Sequence, residues 1–503
     1  MLLRLAYLAV TDTFALLRLL PMSEGACVTC CEGTRRCFRT RTVPASLLAV
    51  LTFLQGCFTT PTFTTFSALV TGLIAQTGRG TVTGMLTGAG LTRTWSHDRA
   101  HAFFSRASWN PDLLGISLSH LIVRQLMSEG AVLTVAVDDT LFKRRGKNVF
   151  GAAWQHDGAA TGPHGVGRGT CFVVLGLVVD LPFLARPVCL PVMARLWRPG
   201  QEVSKVDIAA SMIRLLAACH HGRRIHVVAD AAYHGKSLRD LPATCTFTTR
   251  LPASSVLFAP APPRTGKRGR PALKGARLGT PAQLAATAGF APVQVTCYQR
   301  TDTVYLAEVT CLWYGSFHTR TVRVILLRDD ATDTGYDLAL ATTDLASSAA
   351  GLITRYAMRW FIEVTFAEAR GLLGAGQAHN LTRAAVERTV PFGLYCYTIT
   401  VAWYALHGHQ PSDVTEHRER ALVHHQDGPV AVRHGRQASP GDHRCPIYAH
   451  PPRSAHRAGN PHRPTGMGCR QRERRRVSPQ ACQNVESRVT GGLTKFVPDP
   501  ATP

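Results

Sequence analysis

The sequence has no uninterrupted apolar run long enough to cross a membrane as a helix. Its opening, MLLRLAYLAVTDTFALLRLL, is broken by Arg4, Asp12 and Arg18 and lacks the clean apolar centre of a signal peptide. Residues 43–78 carry no charge, yet Thr, Ser, Gln, Gly and Pro61 interrupt them, and their longest apolar part, Leu47 to Leu54, is too short to span. Core helices of a soluble domain are expected there, with no membrane partner. Paired cysteines are missing too. The 15 cysteines are odd in number and scattered, which excludes a disulfide framework and favours a reducing cytoplasm. CVTCCEGTRRC at 27–37 holds one CxxC, Cys27 and Cys30, without a second pair of ligands nearby, so no zinc site is expected. Acid is scarce: 32 Asp and Glu stand against 56 Lys and Arg, a net charge of +24. That excess favours a polyanionic partner, most often nucleic acid, and says nothing about fold.

With 503 residues, 45% of them hydrophobic, the chain can hold two or three domains with real cores. From 44 to 128 the pattern is helical: DRAHAFF (98–104) and PDLLGISLSHLIVRQLM (111–127) repeat apolar residues at three- and four-residue spacing. From about 131 the texture changes. LTVAV, TCFVVLGLVVDL (170–181) and RIHVVAD (224–230) are Val-rich strands. Between the last two lies a helix, SKVDIAASMIRLLAAC, with Ser204 at its cap and Asp207 placed for a capping box. Strands interleaved with a helix give an α/β class. A mostly β insertion is expected at about 243–340, containing the basic loop RTGKRGRPALKGAR. Past about 410 the chain is Arg-, His-, Pro- and Gly-rich, almost without Lys and without apolar period. Such a tail cannot offset its ordering entropy, so disorder is expected over 406–503. A shifted reading frame in GC-rich DNA would give the same composition, and both origins stay open.

The chemistry concentrates in carboxylates at strand ends. VAVDDTLFKRRGKN (135–148) ends an apolar run in Asp138 and Asp139 and follows it with Lys143, Arg144, Arg145 and Lys147. One aspartate in solvent and the other capping a turn would account for the pair. The design recurs, however, in RIHVVADAAYHG, where an apolar strand ends in Asp230. Two strand-end aspartates of one sheet can meet at its edge and offer hard oxygen ligands to Mg²⁺ or Mn²⁺. A third carboxylate is expected from a helix spanning about 347–373. There Tyr356, Arg359, Glu363 and Arg370 point at roughly 0°, −60°, −20° and −40° around the axis, one narrow face. Trp360, Phe361 and Val364 lie on another face, suited to packing, and Glu368 points away. A solvated face with an Arg–Glu pair is the alternative.

Tyr-x2-Arg-x3-Glu-x6-Lys/Arg is the signature around the third acidic residue of a large group of DDE transposases from bacterial insertion sequences, and this chain resembles it, with Arg370 where Lys is usual. DDTLFKRRGKNVFGAAWQHDG resembles the first catalytic block of that family, VVADAAYHG the second, and SHDRAHAFFSRASWNPD its upstream helical region. The likeness covers roughly 44–405. Residues 1 to about 25 look instead like the opening of an integrase-type mobile-element protein, a fused leader. His156 departs from the family, which usually has Tyr there.

The resemblance implies a ribonuclease H-like catalytic core at 129–405, a helical DNA-binding domain at 44–128, a leader at 1–43, and a transposase that cuts and rejoins DNA at the ends of an insertion sequence. It implies Asp138, Asp230 and Glu363 as catalytic residues holding two Mg²⁺ or Mn²⁺ ions about 4 Å apart. Asp139 is the other candidate for the first ligand; the family's Asp-x-Ser/Thr favours Asp138, since alternation along a strand sends the neighbours to opposite faces. DNA contacts are expected from Arg359 and Arg370 on phosphate, from Tyr356 on phosphate or base, from Lys143 and Lys147 along the backbone, and from Lys267, Arg268 and Arg270 in a minor groove. A solvated turn at 143–147 and a flexible hairpin tip at 267–271 are the plainer readings of the last two groups. The partners implied are terminal inverted repeats, target DNA and a second copy of the chain, in a bacterial cytoplasm at the nucleoid. A catalytically inactive relic that only binds DNA is the alternative.

Overall fold

The computed structural model describes residues 43–408, apart from 159–164, 185, 264–269 and 299. Nearly all of the expected leader and tail, with Cys27, Cys30, Lys267 and Arg268, lie outside the described residues. The uncharged stretch forms α1 (Ala45–Thr52) and α2 (Thr60–Ala75), and α3 (Val82–Gly88), α4 (His97–Ser105) and α5 (Pro111–Gln125) follow. Side chains cap three of these starts: Thr81 accepts from the Gly84 amide, Ser96 from Arg99 and Asn110 from Asp112. Among the described residues no helix is long and apolar enough to cross a membrane.

The strands begin with β1 (Leu133–Lys143), β2 (Ala153–His156), β3 (Val166–Val179) and β4 (Val188–Trp197). Helix α6 (Lys205–Cys219) carries the expected Ser204–Asp207 capping box, and β5 (Ile225–Ala229) and β6 (Cys245–Arg250) come next. β1 runs antiparallel to β3 and parallel to β5; β5 runs parallel to β6; β4 pairs with the far part of β3. Strands β7 (Leu257–Phe258), β8 (Arg277–Gly279), β9 (Ala291–Cys297), β10 (Arg300–Leu312), β11 (Thr321–Arg328) and β12 (Leu338–Thr342) continue this same sheet, because β12 pairs antiparallel with β6. The stretch expected as an insertion from about 243 thus opens with β6, a member of the parallel centre, and its antiparallel part starts after Arg250. Periodicity alone misses this, since a short Thr- and Phe-containing strand reads alike in either place.

Three helices close the described chain: α7 (Ala349–Ala357), α8 (Trp360–Leu373) and α9 (Arg383–Trp403). The single helix expected over 347–373 is two. At the joint the Arg359, Phe361 and Ile362 amides bond to carbonyls three residues back, a tightened turn that re-aims α8. Helix α9 is buried almost throughout and packs on β4, α5 and α8 on one side and on α1, α2 and α4 on the other. Phe392 on α9 meets Phe103 and Phe104 edge-on at 5.9 and 5.2 Å. The expected boundary near 128 therefore divides the chain in sequence, while one buried core joins Leu47 to Trp403 in space. A smaller core forms where Ala349, Leu352, Ile353 and Tyr356 of α7, at helical spacing, cover Leu306, Ile325, Leu327, Leu338 and Leu340.

Candidate active site

β1 and β5 are parallel neighbours, and their register pairs Val137 with Ala229. Asp138 and Asp230 follow these residues and so lie side by side where the two strands emerge from the buried centre. The apolar runs Val135–Val137 and Val227–Ala229 anchor both strands; all six residues are at most 1% exposed. Alternation then separates the adjacent aspartates. Asp138 faces α8. Asp139 faces α6, where Lys205 Nζ lies 2.6 Å from its Oδ2, Tyr233 donates its hydroxyl to Oδ1 at 3.0 Å, and the Cys171 thiol donates to Oδ2 at 3.3 Å. Of the four expected metal ligands, Asp139 is thus the one turned away and engaged elsewhere.

Helix α8 brings the third carboxylate. Arg359, at its N-cap, places Nη1 3.1 Å from Asp138 Oδ2 and 2.8 Å from Glu363 Oε1, so a single nitrogen links the two acids. Asp138 and Arg359 are 17% and 15% exposed and Glu363 35%, so the cluster opens toward solvent on the Glu363 side. Asp230 acts electrostatically on Glu363, Arg359 and the Tyr356 hydroxyl. Burial pushes the Asp138 carboxyl up to about 7, against the pull of Arg359 and with the help of Glu363. Burial also raises Glu363, again opposed by Arg359. The guanidinium itself, although burial works against its charge, is held above its usual range by Tyr356, Glu363 and Asp138.

Among the described residues no three His, Cys, Asp or Glu side chains stand as a preformed metal cage. The donor chemistry is nevertheless that of a hard divalent cation's site: the Asp138 and Glu363 carboxylates meet at one cationic nitrogen, and Asp230 stands at the adjoining strand end.

Two other arginines fix α8 against β1. Arg370 Nη2 contacts Thr140 Oγ1, donates to the Leu141 carbonyl at 3.0 Å, and its guanidinium lies 4.8 Å from the Phe142 ring centre. One guanidinium nitrogen of Arg370 is thus committed to β1, a structural contact beside the phosphate grip expected of it. Arg144, expected only as part of a basic turn, is buried, and its Nη1 donates to the Gly376 carbonyl. Gly374, with φ 64°, ends α8 in the left-handed conformation, and Gly376, with φ 86°, presses on Phe142 so closely that a Cβ would collide with the ring.

The remaining expected residues fall as follows. Tyr356 is 9% exposed with its ring in the smaller core, so base stacking is closed to it, although its hydroxyl reaches Arg359. Lys143 is exposed but ion-paired to the buried Asp157 at 3.1 Å. Lys147 and Arg270 are exposed. Phe361 and Val364 are buried as expected. Glu368 is buried away from the cluster, 3.9 Å from Arg186 and bonded by the Tyr397 hydroxyl. Tyr298, which no sequence signal singled out, reaches the site from the β9–β10 turn. Its hydroxyl donates to the Ala357 carbonyl at 2.9 Å, and it interacts electrostatically with Arg359 and Glu363.

A family model described as DDE superfamily endonuclease matches residues 53–318. The match spans just over half of the 503 residues, from the end of α1 to just beyond β10, and contains Asp138 and Asp230 but ends before Glu363. No curated protein matches the sequence.

Proposed function

The chain belongs to the DDE superfamily endonucleases, and from that membership we propose that it is a DNA transposase, cutting and rejoining strands at the ends of an insertion sequence. The observation that carries the proposal is the meeting of Asp138 with Glu363 through one guanidinium, beside Asp230 on the neighbouring strand end. The strand order β4-β3-β1-β5-β6, with α6 and α8 on opposite faces of β1, supports a ribonuclease H-like core. Asp138, Asp230 and Glu363 would hold two Mg²⁺ or Mn²⁺ ions. When bound, such ions generate an oxygen nucleophile and stabilise the leaving oxyanion of the phosphodiester.

The rest is positioning by the chain itself. Arg359 orients a phosphate at the cut by paired donors. Arg370 and Arg144 hold α8, and with it Glu363, in register on β1. Asp139, Lys205 and Tyr233 fix the end of β1 from its other face. Exposed Arg145, Lys147 and Arg270 contact backbone phosphates without reading sequence. The 44–128 helices bind terminal inverted repeats, and pairing of two ends calls for a homodimer at the bacterial nucleoid.

The test is cleavage of the DNA flanking the gene by the full chain with Mg²⁺ or Mn²⁺. Metal-dependent nicking at inverted repeats that is lost in Glu363→Gln supports the proposal. Binding without cutting favours the alternative of a relic that retains DNA affinity alone. Equal cutting of DNA lacking such repeats points to a nuclease outside transposition.

A further inference from the structure

Two half-buried carboxylates at close range call for a positive charge between them, and in this fold the chain supplies it. Arg359 Nη1 is within 3.1 Å of Asp138 and 2.8 Å of Glu363. That places a cationic nitrogen between two carboxylate oxygens, the position suited to a divalent ion. Taking the reading of the site given above, we propose that Arg359 is a surrogate cation: it occupies the cation position in the DNA-free protein and leaves it for a DNA phosphate, so that metal loading is coupled to DNA binding.

Three features give Arg359 this property. It stands at the tightened joint between α7 and α8, just ahead of the helix that carries Glu363, so the side chain can swing while both helices stay packed. The cluster is most exposed at Glu363, which leaves an exit for the guanidinium toward incoming DNA. Its alternative partner, a phosphate, matches the planar fork as well as a carboxylate does. Withdrawal leaves Asp138 and Glu363 uncompensated, with Asp230 adding a third negative charge nearby. That combination attracts a divalent ion far more strongly than the bridged state. By linkage the effect is reciprocal: the factor by which DNA tightens metal binding is the factor by which metal tightens DNA binding.

The experiment measures Mn²⁺ affinity of the full-length chain by electron paramagnetic resonance, in wild type, Arg359→Gln and the double variant Arg359→Gln with Asp138→Asn. Thermal melts confirm folding; Arg359→Met, which keeps the apolar stem, replaces Arg359→Gln if that variant unfolds. Without DNA, removal of the guanidinium is expected to tighten Mn²⁺ binding about tenfold, within the usual range of coupling between sites. The double variant should lose that gain. A duplex cut from the DNA flanking the gene should tighten Mn²⁺ binding by wild type but leave Arg359→Gln nearly unchanged. If the single variant binds Mn²⁺ no more tightly than wild type, or if DNA tightens both alike, the surrogate role of Arg359 is overturned while the carboxylate site stands. If none of the proteins binds Mn²⁺, with or without DNA, the metal-dependent reading of the site fails first and takes the coupling with it.

Discussion

The carboxylates of Asp138 and Asp139, neighbours in the chain, take opposite faces of β1: the first meets Arg359, the second Lys205. One strand end thereby carries two carboxylates with separate duties. Asp138→Asn is expected to abolish cleavage and to leave the melting temperature unchanged or raised, since it removes a buried charge gathered for chemistry. Asp139→Asn is expected to lower stability by about 1–3 kcal/mol, because Lys205 then loses its buried partner. Parallel melting curves and single-turnover cleavage of flanking DNA check both. Loss of stability in Asp138→Asn with full stability in Asp139→Asn would reverse the assignment.

Arg370 is expected to behave as a fastener. Arg370→Ala removes its bonds to Thr140 and Leu141 and its stacking on Phe142. Urea unfolding should show a loss of about 2–3 kcal/mol. Arg370→Lys should restore only part of it, as an ammonium cannot reproduce the planar fork. DNA affinity of the folded fraction should change little. A large drop in affinity with unchanged stability would return Arg370 to the phosphate-binding role.

Gly376→Ala tests the same seam from the backbone. The residue has φ 86° and no room beside Phe142. A loss of about 1–3 kcal/mol is expected from conformational strain and collision together. The double variant with Phe142→Leu should recover the part due to collision, read from the shift in urea midpoint.

His220 gives a pH dependence. Its ring is buried, stands 4.4 Å from His120 and lies 2.8 Å from the Ser119 hydroxyl. Burial first, then the nearby His120 and Arg223, lowers its pKa to about 3 from 6.5. The folded state thus refuses a proton that the unfolded chain accepts. Stability from this group is complete above 6.5 and is lost as pH falls toward 3, by about 2 kcal/mol at pH 5. His226, lowered to about 4, adds in the same direction. Melting temperatures between pH 7.5 and 5 should fall in wild type and fall less in His220→Gln. An identical slope in both would contradict the assignment.

Much of this was legible where local pattern and tertiary demand agree. Val135–Val137 and Val227–Ala229 announce buried strands, and their terminal aspartates follow. Ser204 and Asp207 announce the start of α6. The face shared by Arg359 and Glu363 could be drawn from helical geometry because the two are four residues apart. What was hidden depended on distance along the chain. Arg370 binds a threonine 230 positions away, and Arg144 a carbonyl 232 away. No spacing rule distinguishes them from phosphate-binding arginines. The joint at Arg359 was hidden because α7 and α8 pack on different surfaces, the sheet extension and β4. Each helix is locally well formed, and only packing sets the angle between them.

The most direct test of the account is single-turnover cleavage of flanking inverted-repeat DNA by the full chain in Mn²⁺, comparing wild type with Glu363→Gln. Strand cleavage is expected from wild type, with a loss of at least about a thousandfold in the variant, which keeps its fold and its DNA affinity. Undiminished cleavage by Glu363→Gln would show that the carboxylate which Arg359 joins to Asp138 takes no part in the reaction.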